Sequence, residues 1–331
     1  MKGSYTIQIS TKRIKYNFTI HRNITIIQGN SATGKTTLVS LVRRFYEQGN
    51  KSGVKLSCDR VCMPLSGKDW RKLLAGVSNT IVFIDEGNQF IKSTDFAEAV
   101  KNSDNYYVII TREELKGLPY SINEIYKLEA QGGNYNEKLT YNSMNRMYGQ
   151  FATSKIIKPT LVITEDSNAG YDFFQSICEP LEIDCIPAHG RDKIINFIYK
   201  RDNQQILIIG DGAAFGCAMR KVIETMGYYN NYTLYLPESF EWLVLKSGIV
   251  RNNDLKNILN NPSDFIESKE FFSWERFFTN LLERITEQIK IKGMKKYNKN
   301  NTLPEYFKTK SNMEKILEQL PSNIKFDNTS N

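Results

Sequence analysis

One eight-residue segment constrains the fold of this chain more than any other feature. It matches the pattern GxxxxGK(S/T) at every fixed position, and its residues are Gly29, Asn30, Ser31, Ala32, Thr33, Gly34, Lys35 and Thr36. A β-branched run, residues 24–27, leads directly into it, and residues 37–45 carry apolar side chains at helical spacing. A strand, a glycine-containing loop and a helix form the context in which this pattern binds phosphates. The segment therefore predicts a nucleoside triphosphate site.

The residues of this loop have separate expected roles. Gly29 and Gly34 let the backbone approach the phosphates closely, and the amides together with the helix N-terminus favour an anion. Lys35 is expected to reach the β- and γ-phosphates and to act in catalysis, and the Thr36 hydroxyl is expected to bind Mg²⁺. The predicted ATP contacts run from Gly29 through Thr37. No NKxD motif that would read guanine occurs in a suitable place, which favours ATP over GTP.

A second signature follows the loop at the expected distance. Residues 80–84 form a continuous apolar run, typical of a buried parallel strand, and Asp85 and Glu86 come directly after it. Asp85 is expected to bind Mg²⁺ and Glu86 to orient the attacking water. An acid pair after an apolar run is common by itself. Downstream of a phosphate loop it predicts ATP hydrolysis, and the N-terminal half resembles the P-loop NTPases.

A third apolar run, residues 106–110, ends in Thr111 and Arg112. In P-loop ATPases, a polar residue after this strand often senses the γ-phosphate. Arg112 therefore has two expected roles, which the sequence leaves open: contact with the transferred charge, or an ordinary ion pair with Glu113 or Glu114. Nearer the N-terminus, residues 5–10 and 15–20 alternate between apolar and polar and predict an antiparallel hairpin beside the nucleotide sheet.

The strand–helix pattern restarts in the C-terminal half. Four strands are predicted there, at residues 160–164, 183–186, 205–209 and 232–236. Strand–helix repetition indicates a second parallel sheet with right-handed crossovers. Glu165 and Asp166 follow the first of these strands, and Asp211 follows the third. Because the carboxyl ends of parallel strands share one edge, these acids are expected to converge where α/β proteins place ligands.

These residues resemble the Toprim domain, the metal-binding fold of topoisomerases, primases and related nucleases. That family has a Glu after its first strand, as Glu165 is here, and a DxDxxG motif after its third, which residues 211–216 match except at Ala213. His189 precedes a glycine, as in the turn often found after the second strand. The resemblance covers roughly residues 159–247 and implies that Glu165 and Asp211 are catalytic and bind Mg²⁺. A P-loop ATPase followed by a Toprim domain also resembles the overcoming-lysogenization-defect nucleases.

Ala213 leaves the chemistry of this half open, because cleavage by two metal ions needs enough carboxylate to hold both. Glu165, Asp166 and Asp211 could hold one ion, and Glu238 and Glu241 are candidates for a second. An ATP-regulated, Mg²⁺-dependent DNA nuclease of a defence or mobile-element system is the leading hypothesis. The alternative is an ATP-dependent switch with a degenerate domain that binds nucleic acid or a protein without cleaving.

Two smaller alternatives also remain. His189 is either a general base near these acids or an ordinary loop histidine. The region of residues 83–87 also suggests a motor-type ATPase similar to phage-assembly proteins.

Bulk composition limits the class of protein to which this chain can belong. The chain has 331 residues, of which 40% are hydrophobic, as in ordinary globular proteins. No run approaches the roughly eighteen apolar residues of a membrane span, and the N-terminus lacks the apolar core of a signal peptide. We therefore expect a cytoplasmic protein without membrane contact. Its five cysteines predict reduced thiols, the alternative being a metal site at Cys58 and Cys62.

The net charge of +8 is placed unevenly. Residues 284–315 contain nine Lys or Arg and three Glu. This excess either attracts a polyanion such as DNA or forms a solvated helical surface. Because ATPases of this type often act as dimers, the resemblance also implies a homodimer formed through the ATPase domain.

The predicted fold class is α/β, with four segments. Residues 1–130 form an N-terminal P-loop NTPase domain and residues 131–158 a linker. Residues 159–247 form a Toprim-like parallel α/β domain, and residues 248–331 a helical, basic C-terminal tail.

Overall fold

The computed structural model describes residues 1–29, 33–131, 140–149, 155–201, 204–288 and 295–326. The chain divides into two compact units. Unit 1 comprises Met1–Gly149 and Asn261–Ser273, and unit 2 comprises Gln150–Asn260 and Trp274–Asn331. Three of the residues predicted to contact ATP lie outside the described part of the chain: Asn30, Ser31 and Ala32.

Unit 1 contains a mixed sheet that curls, formed by nine strands of the described residues. These strands are β1 (Tyr5–Ser10), β2 (Ile14–Ile20), β3 (Ile24–Gln28), β4 (Lys55–Ser57), β5 (Cys62–Pro64), β6 (Ile81–Ile84), β7 (Tyr106–Ile110), β8 (Ile125–Gln131) and β9 (Thr140–Arg146). Their order in the sheet is β4-β1-β2-β9-β8-β3-β7-β6-β5. The helices of this unit are α1 (Lys35–Gln48), α2 (Trp70–Ala75) and α3 (Thr94–Lys101).

The strands that carry the predicted nucleotide residues lie in the parallel part of this sheet. Every residue of β3, β6 and β7 is buried, as their continuous apolar character predicts. β7 pairs in parallel with both β3 and β6 and so lies between them. Their carboxyl ends share one edge of the sheet. The phosphate loop, the acids Asp85 and Glu86, and Arg112 therefore all start from that edge.

The other half of the sheet begins with the predicted hairpin, which is confirmed. β1 and β2 pair antiparallel, with Tyr5 opposite Ile20 and Ser10 opposite Lys15. β2 continues the sheet by pairing in parallel with β9, and β9 pairs antiparallel with β8. β9 lies within residues 131–158, which the sequence analysis assigned to a linker. Hydrogen bonding on both of its edges makes it part of the sheet of unit 1.

Unit 2 contains a second, fully parallel sheet with the order β11-β10-β12-β13. Its strands are β10 (Leu161–Thr164), β11 (Asp184–Pro187), β12 (Ile206–Ile209) and β13 (Tyr232–Tyr235). The described helices of this unit are α4 (Ala169–Cys178), α5 (Gly216–Met226), α6 (Phe240–Lys246), α7 (Leu255–Asn260), α8 (Trp274–Gln288) and α9 (Lys310–Leu317). The predicted α/β class is confirmed for both sheets. After β11 the chain forms a 3₁₀ segment, Arg191–Phe197.

The predicted tail belongs to both units. Residues 261–273 group with unit 1, where the amino group of Met1 contacts Glu267. From Trp274 onward the chain groups with unit 2, and α8 packs on α6. Of the helices in the described residues, none combines the length and apolarity that a membrane crossing requires.

Candidate nucleotide site and acidic cluster

The phosphate loop of unit 1 depends on glycine at both of its fixed glycine positions. Gly29 has a φ of +122° and Gly34 a φ of +88°, conformations that side chains with a Cβ rarely adopt. A Cβ added to Gly34 would also lie 2.8 Å from the Tyr16 hydroxyl oxygen. Gly34 directly precedes α1, so the loop opens onto the N-terminus of that helix. This is the geometry in which backbone amides face an anion.

The Lys35 ammonium group contacts two other residues of the phosphate loop, Gly29 and Thr33. Its Nζ donates to the carbonyl oxygen of Gly29 at 2.9 Å and to Thr33 Oγ1 at 3.1 Å, and the residue is 5% exposed. Burial, together with the positive charge of Arg112, lowers the pKa of Lys35. An ammonium group held in an environment that disfavours its charge gains most from contact with an anion. Contact with an anion would therefore stabilise the charged form of Lys35.

Thr36 and Asp85 come together from different elements. Thr36 is in the first turn of α1 and Asp85 follows β6, and Thr36 Oγ1 lies 3.5 Å from Asp85 Oδ1. Asp85 Oδ1 also accepts the backbone N–H of Glu86 at 2.8 Å. Hydroxyl and carboxylate oxygens are ligands that Mg²⁺ accepts, and this ion commonly takes only one or two protein ligands beside phosphates and water. The predicted pair therefore fits Mg²⁺ bound with a nucleotide.

Arg112 pairs with the predicted catalytic acid. Its Nε lies 3.0 Å from Glu86 Oε1, and both side chains are about half exposed. Neither Glu113 nor Glu114 is the partner seen here, and Glu113 instead pairs with Lys92 at 3.1 Å. That part of the expectation was wrong because β7 lies beside β6, which brings Arg112 next to the acids of the neighbouring strand. The contact holds the Glu86 carboxylate at the edge where the phosphate loop begins.

Tyr16 also contacts the phosphate loop, although it was not predicted as a site residue. Tyr16 is in β2, is fully buried, and donates its hydroxyl hydrogen to the Gly34 carbonyl oxygen at 2.8 Å. The same oxygen accepts the backbone N–H of Leu38 at 3.0 Å. Burial raises the pKa of Tyr16 to about 12, so the phenol stays protonated and keeps donating. Nothing in the local pattern of β2 marks this contact, because it exists only through the curl of the sheet.

In unit 2, five carboxylates form what we call the acidic cluster: Glu165, Asp166, Asp211, Glu241 and Glu275. The first two follow β10 and Asp211 follows β12, as predicted, whereas Glu241 is in α6 and Glu275 in α8. The backbone N–H of Asp211 donates to Glu165 Oε2 at 2.9 Å. The parallel sheet thus gathers the predicted acids at one edge, and two helices add the others.

The chain itself places a cation in this cluster. Lys299 Nζ lies 3.2 Å from Asp211 Oδ2 and also contacts Glu275 Oε1. Burial lowers the pKa of Lys299, but the carboxylates of Asp211, Glu241 and Glu275 outweigh it and raise the value well above the ordinary one. Lys299 and Glu275 were not predicted as site residues. They follow the Toprim-like segment in the chain, and no local spacing relates them to it.

Burial disfavours the charged form of three carboxyl groups in the cluster. Burial raises the pKa of Glu165 to about 7 and also raises the pKa values of Asp166 and Asp211, although Lys299 opposes the latter two shifts. Glu241 is 1% exposed, and its Oε1 accepts the Tyr297 hydroxyl at 2.8 Å. Its Oε2 has no hydrogen-bond partner among the described residues. The raised pKa values favour the protonated form of Glu165, Asp166 and Asp211, so these three groups carry less negative charge than they would in water.

The other residues of unit 2 that the sequence singled out are Ala213, Glu238 and His189. Ala213, where the Toprim pattern has its second Asp, is 2% exposed and donates its N–H to the Glu238 carbonyl oxygen at 3.1 Å. Glu238 thus contributes its backbone to the turn around Asp211. His189 is exposed and has a φ of +59°, in the turn after β11.

The implied Mg²⁺ site of unit 2 does not assemble. In the parts of the chain that the structure describes, no three His, Cys, Asp or Glu side chains come together in a way that could hold a metal ion. Asp211 Oδ1 accepts the Phe240 N–H at 3.2 Å, and Oδ2 is in contact with Lys299. The oxygen donors suit Mg²⁺ in kind, but Lys299 occupies the carboxylates that would bind it. The five cysteines, Cys58 and Cys62 among them, all lie in the described part of the chain and form no disulfide bond there.

No protein-family model matches the chain. A search of curated proteins found no match, and neither did a search of solved structures. Function is therefore inferred from the arrangement of residues in each unit.

Proposed function

We propose that unit 1 binds ATP with Mg²⁺ and hydrolyses it to ADP and phosphate. The observation that carries this proposal is the approach of Thr36 Oγ1 to within 3.5 Å of Asp85 Oδ1, beside a lysine that spans the phosphate loop. Gly29, Thr33 and Thr37 border the loop around these groups. The bound Mg²⁺ would neutralise charge on the β- and γ-phosphates.

Glu86 is the proposed base that orients the attacking water. It directly follows Asp85, and Arg112 holds its carboxylate through the ion pair at 3.0 Å. Once nucleotide binds, the γ-phosphate competes for Arg112, because phosphate and carboxylate both suit the guanidinium fork. Glu86 then keeps a free carboxylate oxygen for the water. In this proposal Arg112 pairs with Glu86 before nucleotide binds and responds to the γ-phosphate afterwards, whereas the sequence suggested Glu113 or Glu114 as its ion-pair partner.

Nucleotide titration and phosphate release test the proposal together. Lys35→Ala is expected to lose ATP binding, and Glu86→Gln to keep binding while hydrolysis slows by about 100-fold or more. Lys92→Ala is the matched control, because it removes a lysine that pairs with Glu113 away from the loop. Wild-type protein that neither binds nor hydrolyses ATP would refute the proposal. Unchanged hydrolysis by Glu86→Gln would refute the role of Glu86 alone.

DNA cleavage by unit 2 is the second candidate function. It is supported by the convergence of Glu165, Asp166 and Asp211 at the carboxyl edge of a parallel sheet, as in the Toprim-containing nucleases that the sequence resembles. Ala213 and the occupation of Asp211 by Lys299 favour the alternative, an ATP-dependent switch whose second unit binds a nucleic acid or a protein. Paired lysines also reduce the basic character of the tail, since Lys308 contacts Asp172 at 2.7 Å.

Incubation with plasmid and linear DNA distinguishes these alternatives. The wild type, Asp211→Ala and Lys35→Ala are compared with Mg²⁺ or Mn²⁺, with and without ATP. Cleavage that disappears in Asp211→Ala supports the nuclease, and the Lys35→Ala protein shows whether ATP controls it. ATP hydrolysis by wild type without cleavage under any condition supports the switch.

A further inference from the structure

A groove in unit 2 lies between the two short helices α6 and α7. It has a volume of about 630 Å³ and is lined by residues of both helices and of the segment that joins them. This volume lies within the range of pockets that bury ligands. The apolar part of the lining is formed by Leu245, Val250, Leu255 and Leu259, together with Trp242. Trp242 and Leu259 are only partly buried, so the groove offers apolar surface to solvent.

Three cations surround this apolar lining. Lys246 at the end of α6, Arg251 in the joining segment and Lys256 in α7 all line the groove, and all three are exposed. None of them forms an ion pair within the part of the chain that the structure describes. The single acid of residues 242–260, Asp254, does not line the groove. Apolar surface rimmed by charge of one sign is typical of an interaction site for a partner of the opposite sign.

The lysines of the predicted basic tail differ from these cations. Lys296, Lys299 and Lys308 each have their Nζ within 3.2 Å of a carboxylate oxygen. Their charge is thus compensated inside unit 2. The three cations of the groove lack such internal partners, so their charge remains available to a molecule that binds there.

The lining favours a protein segment over a nucleic acid. Lys246 Nζ lies 4.8 Å from the centroid of the Trp242 ring and so covers a face of the indole that a base would need for stacking. The other apolar side chains of the groove are aliphatic. They suit the apolar residues of an amphipathic helix, which recur at i, i+3, i+4 and i+7. Carboxylates on the flanks of such a helix would complement Lys246, Arg251 and Lys256.

We propose that the groove between α6 and α7 is a docking site for an acidic amphipathic segment of a partner protein, whose carboxylates meet Lys246, Arg251 and Lys256. The first turn of α6 contains Phe240, whose N–H donates to Asp211 Oδ1 at 3.2 Å. A partner in the groove therefore contacts the helix that borders the acidic cluster. The proposal rests on the alternative function of unit 2, the binding of a protein, and it requires neither ATP hydrolysis nor DNA cleavage.

Peptide binding to the 331-residue chain tests this docking site. The probe is a fluorescein-labelled peptide of about 15 residues, with Leu at i, i+3, i+4 and i+7 and Glu at the positions between them. It is titrated by fluorescence anisotropy without nucleotide or Mg²⁺, so the result does not depend on the activity of unit 1. We expect saturable binding in the micromolar range and a several-fold loss of affinity when the salt concentration is raised.

Charge reversal locates the bound peptide. Arg251→Glu combined with Lys256→Glu is expected to weaken peptide binding by at least about ten-fold. Lys193→Glu combined with Lys221→Glu is the matched control, because it changes the net charge equally at two exposed lysines that do not line the groove. Its affinity should equal that of the wild type. Equal affinity of Arg251→Glu/Lys256→Glu and wild type would overturn the proposal.

A second set of probes leaves the protein unaltered and does not depend on whether a variant folds. A peptide of the same composition in scrambled order has no apolar face and should bind at least about ten-fold more weakly. Equal binding of the scrambled peptide, or no binding of the amphipathic peptide by the wild type, would overturn the proposal. Displacement of the peptide by a single-stranded oligonucleotide that binds more tightly would assign the groove to nucleic acid instead. Self-association of the wild type that disappears in Arg251→Glu/Lys256→Glu would assign it to a second copy, and either result would also overturn the proposal.

Discussion

Replacing Glu165 by Gln should make unit 2 more stable at alkaline pH. Burial raises the pKa of Glu165 from its ordinary 4.5 to about 7, so the folded protein holds this proton more tightly than the unfolded chain does. The stability that this proton contributes is present below pH 4.5 and is lost as the pH rises towards 7. A shift of this size corresponds to about 3 kcal/mol of unfolding free energy. Gln is neutral at every pH and can still accept the Asp211 N–H.

Urea unfolding in the presence of EDTA measures this effect. Tryptophan fluorescence in a Trp70→Phe background reports on unit 2, which contains Trp242 and Trp274. Between pH 5 and pH 8 the wild type should lose about 2.5 kcal/mol more than Glu165→Gln, since part of the full effect lies below pH 5. Glu224→Gln, on the exposed side of α5, is the matched control and should follow the wild type. Equal pH dependence of Glu165→Gln and wild type would refute the assignment of a buried, proton-binding Glu165.

Three further predictions concern unit 1. Tyr16→Phe removes the hydrogen bond to Gly34, so unfolding should become easier by about 1 kcal/mol in denaturant titration, and ATP should bind more weakly. Gly34→Ala should weaken ATP binding by at least about ten-fold. The added Cβ meets the Tyr16 hydroxyl, and a φ in the left-handed region costs a residue with a Cβ about 1–2 kcal/mol. The double variant Gly34→Ala/Tyr16→Phe should recover part of the affinity, and no recovery would exclude the clash as a cause. Burial, Arg146 and Arg22 lower the pKa of His21, so the stability that its neutral form contributes is present above about pH 6.5 and is lost as the pH falls. His21→Gln should remove that acid-side loss from thermal unfolding curves, and an unchanged loss would contradict the cause.

The parts of both sites that the sequence predicted are those that depend on neighbouring residues along the chain. β3 leads within a few positions into the fixed residues Gly34, Lys35 and Thr36. The acids Asp85 and Glu86 likewise follow β6 directly. The hairpin of β1 and β2 was also predictable, because alternation fixes which side chains face the core. The same reasoning placed Glu165 and Asp211 at one edge of a parallel sheet.

The contacts that the sequence did not reveal join residues distant in the chain or on neighbouring strands. Tyr16 reaches Gly34 across 18 positions and Lys299 reaches Asp211 across 88. The first contact depends on the curl of the sheet, and the second depends on the path of the chain after α8. Arg112 contacts Glu86 because β7 lies beside β6, an order that hydrophobic periodicity does not determine.

Lys35 in unit 1 and Lys299 in unit 2 differ in how far nearby groups compensate their positive charge. The surroundings of Lys35 lower its pKa, so its charge is under-compensated and a phosphate improves its environment. The surroundings of Lys299 raise its pKa, because carboxylates already compensate its charge. Lys299 is already paired with Asp211 and Glu275, so an anion would gain less from contact with this lysine than from contact with Lys35.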